Sequence, residues 1–460
     1  MRNILEEIET KYPVADVRVG GEQVWPYLRN RYAESYVAKI SAESGERQAY
    51  ASLKSRRLKA VAASLYGARN WFRKYRYVAL SAAGYRREVN GKQFNRFVDP
   101  IIDNLGRDAV LLIERHTTVC YPKAQVHTAN IASEGAPLLL AWILHNAMRR
   151  PSIENASVLK AIQEEYGLEL SYGQLVRAFE AERRVFAFLL RKIQPRAVLL
   201  TCYYGREGFI KAAHDLGIKV IEVQHGVIGK GHPAYNVYSD LDKSFFPDDL
   251  LVYGKKELDT FDDARFIDPA HVHPVGSFYI DYVKSTFVPD PDLVHHLARY
   301  QRSVGVTLQL GRERRLIDFI CRAAHRDTTI CHVLIPRAYD SYLSDLDLPE
   351  NVMILEKQNF YEAMMYVDFH STIFSTCAIE APALGVQNIL LNIDNLSRRY
   401  YETSLTDSRI TRYVDTVEEY IETIQTFPKL DRETVSRSNE AIIATGYQDN
   451  IRRFIRSHLS

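Results

Sequence analysis

The sequence predicts an α/β protein that contains two doubly wound units with parallel sheets. Short, almost continuous runs of Val, Leu and Ile alternate with amphipathic helical stretches, as in buried parallel strands joined by crossover helices. The alternation stops at a polar, Pro-rich stretch at 287–292 and then starts again. A chain of 460 residues, 46% apolar and 25% charged, is long enough for two or three domains.

The composition excludes several classes of protein. Lys and Arg total 59 and Asp and Glu total 57, so the net charge of +2 fits neither a polycation that coats nucleic acid nor an acidic solvating chain. The five cysteines are widely spaced without a CxxC pair, which excludes a disulfide framework and predicts a reducing cytoplasm. The most apolar run, 136–144, is shorter than the ~20 residues that cross a bilayer, and we expect it to be buried.

A helical segment is expected over 1–74. Its last part, continuing to Arg76, is a stretch from Lys54 that carries basic residues and no acid, with apolar and aromatic residues between them. Such a stretch can lie on an anionic membrane surface, or it can be a solvated helix whose apolar face packs on the domain. No second basic tract accompanies it, so we expect no nucleic-acid partner.

The first sheet domain is expected over 75–280. Its predicted strands are 77–81, 109–113, 197–201, 219–223 and 249–254, and its predicted helices include 173–193 and 207–216.

A linker is expected over 281–302, and a second sheet domain over 303–430. The predicted strands are 304–308, 332–335, 351–355, 367–370 and 388–392, with helices at 312–326, 360–366, 375–385 and 416–426. Residues 431–460 are expected to be helical, with an amphipathic pattern at 433–458 that allows packing back on the first domain.

Ligands of open parallel sheets bind at the carboxyl ends of the strands, and a cleft between two such sheets is the expected site. After the strand at 367–370, a Ser/Thr-rich turn precedes a helix, which suits a phosphate or diphosphate. Glu380 lies inside this helix, where a carboxylate can accept hydrogen bonds from sugar or ribose hydroxyls. Simple N-capping explains the same turn equally well. The predicted donor-site residues in this tract are His370, Ser371, Thr372, Ser375 and Glu380.

His225 follows the strand at 219–223 directly and is a candidate base for an acceptor hydroxyl. A histidine at a strand end can also be purely structural. After the strand at 197–201, Arg206 is a candidate anion clamp, and Glu207 is either a second candidate base or simply a residue of the first helical turn. Arg337 is a candidate phosphate ligand after a strand of the second domain. The predicted acceptor contacts are Tyr85, Arg86, Gln224 and Gly226.

Several familiar motifs are missing from the sequence. There is no HExxH, DxD or clustered Cys/His, so we expect no metal. The absence of a P-loop, of GxGxxG after the first strand and of GxSxG argues against kinases, nicotinamide enzymes and serine hydrolases.

Two tracts carry a family resemblance. DFHSTIFSTCAIEAPALGVQNILLN (368–392) resembles the donor-binding signature of GT-B glycosyltransferases of bacterial surface-polysaccharide synthesis. GIKVIEVQHGVIG (217–229) is similar to the strand-His-Gly element of capsule and O-antigen transferases and of the CDP-glycerol polymerases of teichoic-acid synthesis. One departure is Pro336-Arg337-Ala338, where many relatives have His-Pro.

The resemblance implies two Rossmann-like domains facing a cleft and a metal-independent transfer without a resident cofactor. A sugar would move from a UDP-, CMP-, CDP- or GDP-linked donor, held by the C-terminal domain, to a hydroxyl of a lipid-linked bacterial glycan held by the N-terminal domain. His225 would lie at the reaction centre, Ser371, Thr372 and Ser375 at the donor phosphates, and Glu380 at the ribose or sugar. The expected location is the cytoplasm, at the inner face of the cytoplasmic membrane. A nucleotide-sugar 2-epimerase or hydrolase and a non-catalytic scaffold subunit remain alternatives.

Overall fold

The chain forms two compact units in a computed structural model that describes residues 4–43, 65–115, 121–229, 232–261, 265–309, 312–336 and 346–459. Unit 1 comprises Met1–Val275 and Gln448–Ser460, and unit 2 comprises Gly276–Tyr447. Within the described ranges, no helix is both long and apolar enough to cross a membrane.

Unit 1 contains one large sheet and two small antiparallel pairs. Its strands are β1 (Arg18–Val19), β2 (Glu22–Gln23), β3 (Tyr77–Ala82), β4 (Arg86–Val89), β5 (Lys92–Asn95), β6 (Val110–Arg115), β7 (Ile131–Ser133), β8 (Ala197–Thr201), β9 (Lys219–Val223), β10 (Asp249–Val252) and β11 (Val272–Pro274). β1 pairs with β2 and β4 pairs with β5.

The large sheet of unit 1 is parallel throughout, with the order β11-β10-β9-β8-β3-β6-β7. Its central strands are buried on both faces, which explains their continuous Val and Leu runs. The chain runs outward from β3 through β6 to β7 and then returns to β8 on the other side of β3. The topological switch point therefore lies between β3 and β8, where a ligand site is expected.

Among the described residues up to Val275, the helices of unit 1 are α1 (Ile4–Lys11), α2 (Trp25–Glu43), α3 (Asp99–Leu105), α4 (Gly135–Ala147), α5 (Ala156–Tyr166), α6 (Tyr172–Ile193) and α7 (Glu207–His214). α4 is the apolar run that the sequence predicts to be buried. That prediction is wrong for Leu140, Trp142 and Ile143, whose exposed fractions are 50%, 55% and 52%. α4 packs on α6 through Ala141 and its neighbours, and the helix is apolar on its outer side as well.

The N-terminal segment is more varied than the predicted run of helices, because the β1–β2 hairpin separates α1 from α2. The basic stretch is described from residue 65 onward; its part at 54–64 lies outside the described residues. Residues Ala68–Phe72 form a short 3-10 turn that packs against α6.

Unit 2 repeats the same winding with six parallel strands, in the order β14-β13-β12-β15-β16-β17. The strands are β12 (Arg302–Thr307), β13 (Ile330–Ile335), β14 (Val352–Ile354), β15 (Phe369–Ser371), β16 (Gln387–Leu391) and β17 (Thr411–Val414). Its switch point lies between β12 and β15. The predicted fold class, two doubly wound α/β units, is confirmed.

The helices of unit 2 are α8 (Phe278–Thr286), α9 (Pro291–Leu297), α10 (Glu313–Arg326), α11 (Phe360–Met364), α12 (Cys377–Ala383), α13 (Leu396–Tyr401), α14 (Val417–Thr426) and α15 (Arg432–Ser438). The stretch expected as a linker holds part of α8 and all of α9. Asp290 caps α9 by accepting a hydrogen bond from the backbone N–H of Asp292 (3.0 Å), and Pro291 occupies the first turn. The polar, Pro-rich stretch at 287–292 therefore leads into the start of helix α9.

The last helix, α16 (Tyr447–His458), begins at the boundary of the two units, and its residues from Gln448 onward belong to unit 1. The Tyr77 hydroxyl of β3 donates a hydrogen bond to the carbonyl oxygen of Leu459 at 2.7 Å. The single helical stretch predicted at 433–458 is divided into α15 and α16. Between them Gly446 has φ +74°, a left-handed conformation that interrupts a helix.

Candidate functional site

The carboxyl edge of the unit 1 sheet gathers polar and aromatic side chains beside the switch point. Tyr85 follows β3, Tyr204 follows β8 and His225 follows β9. The His225 ring centroid lies 5.9 Å from that of Tyr85 and 6.1 Å from that of Tyr204. Three segments that are distant in sequence thus contribute to one cluster, which we call the His225 cluster.

His225 keeps one ring nitrogen unused. Its Nε2 lies 3.5 Å from the Tyr204 hydroxyl oxygen, whereas its buried Nδ1 has no hydrogen-bond partner among the described residues. Burial lowers the pKa of His225 to about 4, and the positive charge of Arg96 acts in the same direction. The imidazole is therefore neutral near pH 7 and can accept a proton.

Three guanidinium groups lie close enough to Tyr85 for their charges to influence the pKa of its hydroxyl. Burial raises the pKa of Tyr85 to about 12, and the charges of Arg96, Arg206 and Arg115 oppose that rise. Tyr85 therefore keeps its hydroxyl proton near pH 7 and can donate a hydrogen bond. The Tyr85 ring also packs edge-on against Phe97, with centroids 5.0 Å apart, which fixes its orientation.

Arg206 and Arg115 share one buried carboxylate, that of Glu134. Arg206 Nη2 donates to Glu134 Oε2 at 3.0 Å, and Arg115 Nε donates to the same oxygen at 2.8 Å. Burial and the neighbouring Arg115 lower the pKa of Arg206. Arg115 is the more accessible of the two, with 37% of its side chain exposed. Arg115 therefore presents a partly exposed guanidinium group at this edge of the sheet, which suits an anionic ligand.

The second candidate base, Glu207, has other neighbours than His225. It begins α7 and accepts a hydrogen bond from the Asn30 side chain of α2 at 3.2 Å. Burial raises its pKa. Burial, followed by the charge of Glu207, raises the pKa of Glu182 on α6 to about 8. The described contacts of Glu207 thus join helices, while those of His225 are with Tyr204 and Tyr85.

The structure gives two of the predicted acceptor residues internal roles. Arg86 is fully enclosed, with Nε 2.9 Å from Glu114 and Nη1 3.5 Å from Asp99. The Gln224 side chain donates to Glu257 (2.9 Å) and accepts from the backbone N–H of Tyr253 (2.6 Å). Contact of either side chain with an acceptor would require these bonds to open.

Gly226 is in a different position from Arg86 and Gln224. It is partly exposed, and a side chain added there would meet nothing within 4 Å. Of the predicted acceptor contacts, Tyr85 therefore lies beside His225 in space, and Gly226 is the residue after His225 in the chain.

The switch point of unit 2 is formed by the ends of β12 and β15. Thr372 donates a hydrogen bond from its hydroxyl to the carbonyl oxygen of Thr307 at 3.1 Å. The Gln309 side chain accepts from the backbone N–H of Phe374 at 2.9 Å. These two bonds hold the Ser/Thr-rich turn against the neighbouring strand.

Two predicted donor residues are enclosed in the sheet of unit 2. The ring nitrogens of His370 lie 3.0 Å from the Thr307 hydroxyl and 2.8 Å from the Asn388 side-chain oxygen, and burial lowers its pKa to about 4. The Ser371 hydroxyl lies 3.5 Å from that of Tyr420. Both residues are buried, as is Thr372, so their side chains fix the strand end.

Ser375 is partly exposed and is the predicted donor residue best placed to meet a ligand. Its hydroxyl accepts from the backbone N–H of Cys377 (3.3 Å), and its carbonyl oxygen accepts from the Tyr401 hydroxyl (2.6 Å). Glu380 is buried and accepts from the Tyr361 hydroxyl at 2.7 Å. Arg337 lies outside the described residues.

Sequence reasoning missed Arg115, Arg96 and Tyr204. Arg115 is the last residue of β6, so the rule that ligands meet strand ends could have found it. Tyr204 stands next to the predicted Arg206. Arg96 follows the β4–β5 hairpin, and no sequence signal links it to His225.

Comparisons with known proteins define the fold class. No family model and no curated protein match the chain. A Listeria monocytogenes protein assigned as a UDP-N-acetylglucosamine 2-epimerase is similar in structure, with TM-score 0.52 and 13% identity over 84% of this chain and 97% of that one. The UDP-GlcNAc 2-epimerase of Methanocaldococcus jannaschii has TM-score 0.51 and 11% identity over 83% and 99%. The calicheamicin glycosyltransferase CalG4 has TM-score 0.52 and 14% identity over 84% and 98%.

The chain therefore has the GT-B fold, as the resemblance implied. This fold is shared by glycosyltransferases and by UDP-GlcNAc 2-epimerases, so it does not by itself choose between those two reactions.

Proposed function

We propose that the protein is a glycosyltransferase that moves a sugar from a nucleotide-activated donor to a hydroxyl group of a bacterial surface glycan or glycolipid. The observation that carries the proposal is the His225 cluster beside the switch point of unit 1. A neutral imidazole with an unused nitrogen lies there beside Tyr204 and Tyr85, and the charges of three arginines lower the pKa of Tyr85 against the effect of burial. An acceptor that carries a reacting hydroxyl and a negatively charged group requires a base, a hydrogen-bond donor and an anion-binding site.

In this scheme, His225 Nδ1 accepts the proton of the attacking hydroxyl, whose oxygen bonds to the anomeric carbon of the donor sugar. The bond from that carbon to the nucleotide phosphate breaks, and the nucleotide leaves with the electron pair. Arg115, with Arg96, binds a phosphate of the acceptor, and Tyr85 orients the acceptor by a hydrogen bond. An anion bound near Arg96 would offset the charge that lowers the pKa of His225, so the base would become stronger when the acceptor binds.

The donor is assigned to unit 2. The Ser375 hydroxyl would bind a donor phosphate at the end of β15, and Glu380 would bind a ribose or sugar hydroxyl. Thr372, Ser371 and His370 would hold the strand end beneath them. The scheme uses no metal and no cofactor, since hydroxyl and guanidinium groups would bind the negatively charged phosphates.

An exposed apolar surface on unit 1 supports a lipid-linked acceptor. On α4, Leu140, Trp142 and Ile143 are about half exposed, and Phe188 of α6 is 56% exposed with Lys192 Nζ 5.8 Å from its ring centroid. The turn Ala68–Phe72, at the end of the basic stretch, packs on the same helix α6, and Phe72 is 90% exposed. Apolar side chains with basic neighbours fit an anionic bilayer surface.

A second candidate is a nucleotide-sugar 2-epimerase or hydrolase. The fold is shared with such enzymes, among them that of Methanocaldococcus jannaschii. This enzyme would consume the donor without an acceptor, whereas the proposed transferase requires both.

Calorimetric titration with UDP, CDP, CMP and GDP tests the donor assignment. We expect saturable binding of one of them, and failure of all four would contradict the proposal. With the nucleotide known, donor consumption is measured with and without a glycolipid extract. Consumption that needs the extract supports the transferase, and release of an epimer or free sugar without it supports the second candidate.

Sedimentation with vesicles tests the membrane surface separately. We expect binding to vesicles that contain phosphatidylglycerol, weaker binding to phosphatidylcholine vesicles, and loss of binding in Trp142→Ser/Ile143→Ser. Val294→Ser removes a comparably exposed apolar side chain of unit 2 and serves as the control. Equal binding by the double variant and the wild type would exclude this surface.

A further inference from the structure

Three side chains of unit 1, from β10, β11 and α16, meet away from the His225 cluster. They are Asp249, His273 and His458, and one potential ligand atom of each lies within 4.8 Å of the other two. Asp249 begins β10, so the group lies toward the amino ends of the strands, whereas His225 follows the carboxyl end of β9. Nothing in the proposed transfer uses these residues.

We propose that Asp249, His273 and His458 bind a divalent transition-metal ion such as Zn²⁺, which fastens the C-terminal helix α16 to the edge of the unit 1 sheet. Two imidazoles and one carboxylate are a donor set that Zn²⁺ accepts, with a water in the fourth position. The ion would be structural, and the transfer reaction would not require it.

The distances between the ligand atoms suit one ion. Ligand bonds of about 2.1 Å place two donor atoms at most ~4.2 Å apart. His273 Nε2 and Asp249 Oδ1 are 2.8 Å apart, and the ring centroids of His273 and His458 are 4.7 Å apart. All three ligand atoms lie within 4.8 Å of one another, so binding one ion requires side-chain rotations that bring them within ~4.2 Å.

The surroundings orient the three ligands. His458 Nδ1 lies 3.1 Å from the carbonyl oxygen of Phe454; donation of its proton there leaves Nε2 as a free lone pair. The Phe454 ring stacks on His458 and contacts the His273 ring, with centroids 4.7 Å and 4.9 Å away. Lys219 Nζ lies 2.6 Å from Asp249 Oδ2, so the oxygen that would bind the ion is Oδ1, which faces His273 Nε2 at 2.8 Å and His271 Nδ1 at 3.2 Å.

The proton balance is simple. Without an ion, a neutral His273 donates its Nε2 proton to Asp249; as a ligand through Nε2 it carries its single proton on Nδ1 instead, so this residue loses no net proton. Asp249 would bind through its carboxylate, whose other oxygen faces the Lys219 ammonium group at 2.6 Å.

Titration of Zn²⁺ into the EDTA-treated full-length protein tests the site, with Co²⁺ as a spectroscopic substitute. We expect one ion per chain with a micromolar or tighter Kd, and a visible Co²⁺ absorption band typical of four-coordinate geometry. His458→Ala should weaken binding about tenfold or more. Hydrogen exchange of peptides from 448–459 should slow when Zn²⁺ is added to the wild type, and remain unchanged in this variant.

His325→Ala is the matched control. His325 is also an exposed histidine in the last turn of a helix, and its Nδ1 lies 2.7 Å from the carbonyl oxygen of Cys321. His458 is exposed, so its replacement should leave the fold intact, which circular dichroism verifies. Absence of saturable binding, or equal weakening in His458→Ala and His325→Ala, would overturn the proposal.

Discussion

The ring of His225 lies 5.9 Å from the ring of Tyr85, although 140 residues and several strands separate them in the chain. The relationship follows from the winding of unit 1, because β3 and β9 flank β8 and send their carboxyl ends to one edge. A base and a hydrogen-bond donor thus stand beside the same switch point.

The first prediction concerns the pH dependence of the reaction. Since the pKa of His225 is lowered to about 4, the free enzyme keeps this base neutral down to that pH. The acid limb of kcat/KM should therefore lie near pH 4, below the ordinary histidine value of about 6.5.

His225→Ala should reduce kcat by about 100-fold or more and leave the Kd of the nucleotide unchanged. A fully active variant would exclude His225 as the base.

The second prediction separates Tyr85 from its neighbour Arg86. Arg86→Met leaves Glu114 and Asp99 buried without their cation, so the free energy of unfolding of unit 1 should fall by about 3 kcal/mol. Tyr85→Phe should change stability by less than about 0.5 kcal/mol, yet lower kcat/KM for the acceptor about tenfold. Tryptophan fluorescence during urea unfolding and steady-state kinetics measure the two effects.

Arg87→Met is the control for this comparison, since Arg87 is partly exposed and donates to the backbone carbonyl oxygens of Gly84 and Arg86. It should leave both the stability and the kinetics near wild-type values. An Arg86→Met protein of normal stability with a raised acceptor KM would instead support the acceptor role that the sequence predicts.

The third prediction concerns the donor turn of unit 2. Ser375→Ala removes a partly exposed hydroxyl, and the Kd of the nucleotide should rise about tenfold, as expected for a hydrogen bond to a charged phosphate. Ser371→Ala is the matched control, because Ser371 is enclosed in β15 and its loss should affect stability only. The opposite ranking in calorimetric titrations would move the nucleotide away from Ser375.

The sequence predicts strand ends well and side-chain directions poorly. Buried parallel strands have continuous apolar runs, so the sequence predicts the carboxyl ends of β8, β9 and β13 correctly. It therefore also predicts that Arg206 follows the end of β8 and that His225 follows the end of β9. Whether a polar residue at a strand end points outward depends on partners elsewhere in the chain. Arg86 turns inward to Glu114 and Asp99, and no local pattern contains that information.

The same limit applies to the proposed metal site. The familiar metal-binding motifs have ligands that are close in the chain, and their absence from the sequence predicts no metal. Asp249 and His273 meet because β10 and β11 pair, and His458 joins them because α16 returns to unit 1. Likewise, the exposure of one face of α4 could not be predicted from its apolar run, because a fully buried helix has the same apolar composition.

The fourth prediction concerns the acid stability of unit 2. His332 of β13 is buried, and neither ring nitrogen has a hydrogen-bond partner among the described residues. Burial lowers its pKa to about 4, so between pH 6.5 and 4 the unfolded chain binds a proton that the folded chain does not. The free energy of unfolding should therefore fall as the pH falls through this window, by up to about 3 kcal/mol from this residue. His370, with a pKa lowered to about 4, adds to the same trend.

His332→Leu should remove the contribution of that residue. Relative to the wild type, the variant should gain about 2 kcal/mol of stability between pH 6.5 and pH 5. The three tryptophans, Trp25, Trp71 and Trp142, all lie in unit 1, so urea-dependent hydrogen exchange of β13 is the suitable measurement. The exposed His325→Leu should show no such pH-dependent gain. A constant difference between His332→Leu and the wild type across this range would mean that His332 is protonated in the folded protein, and that a partner or water reaches its ring.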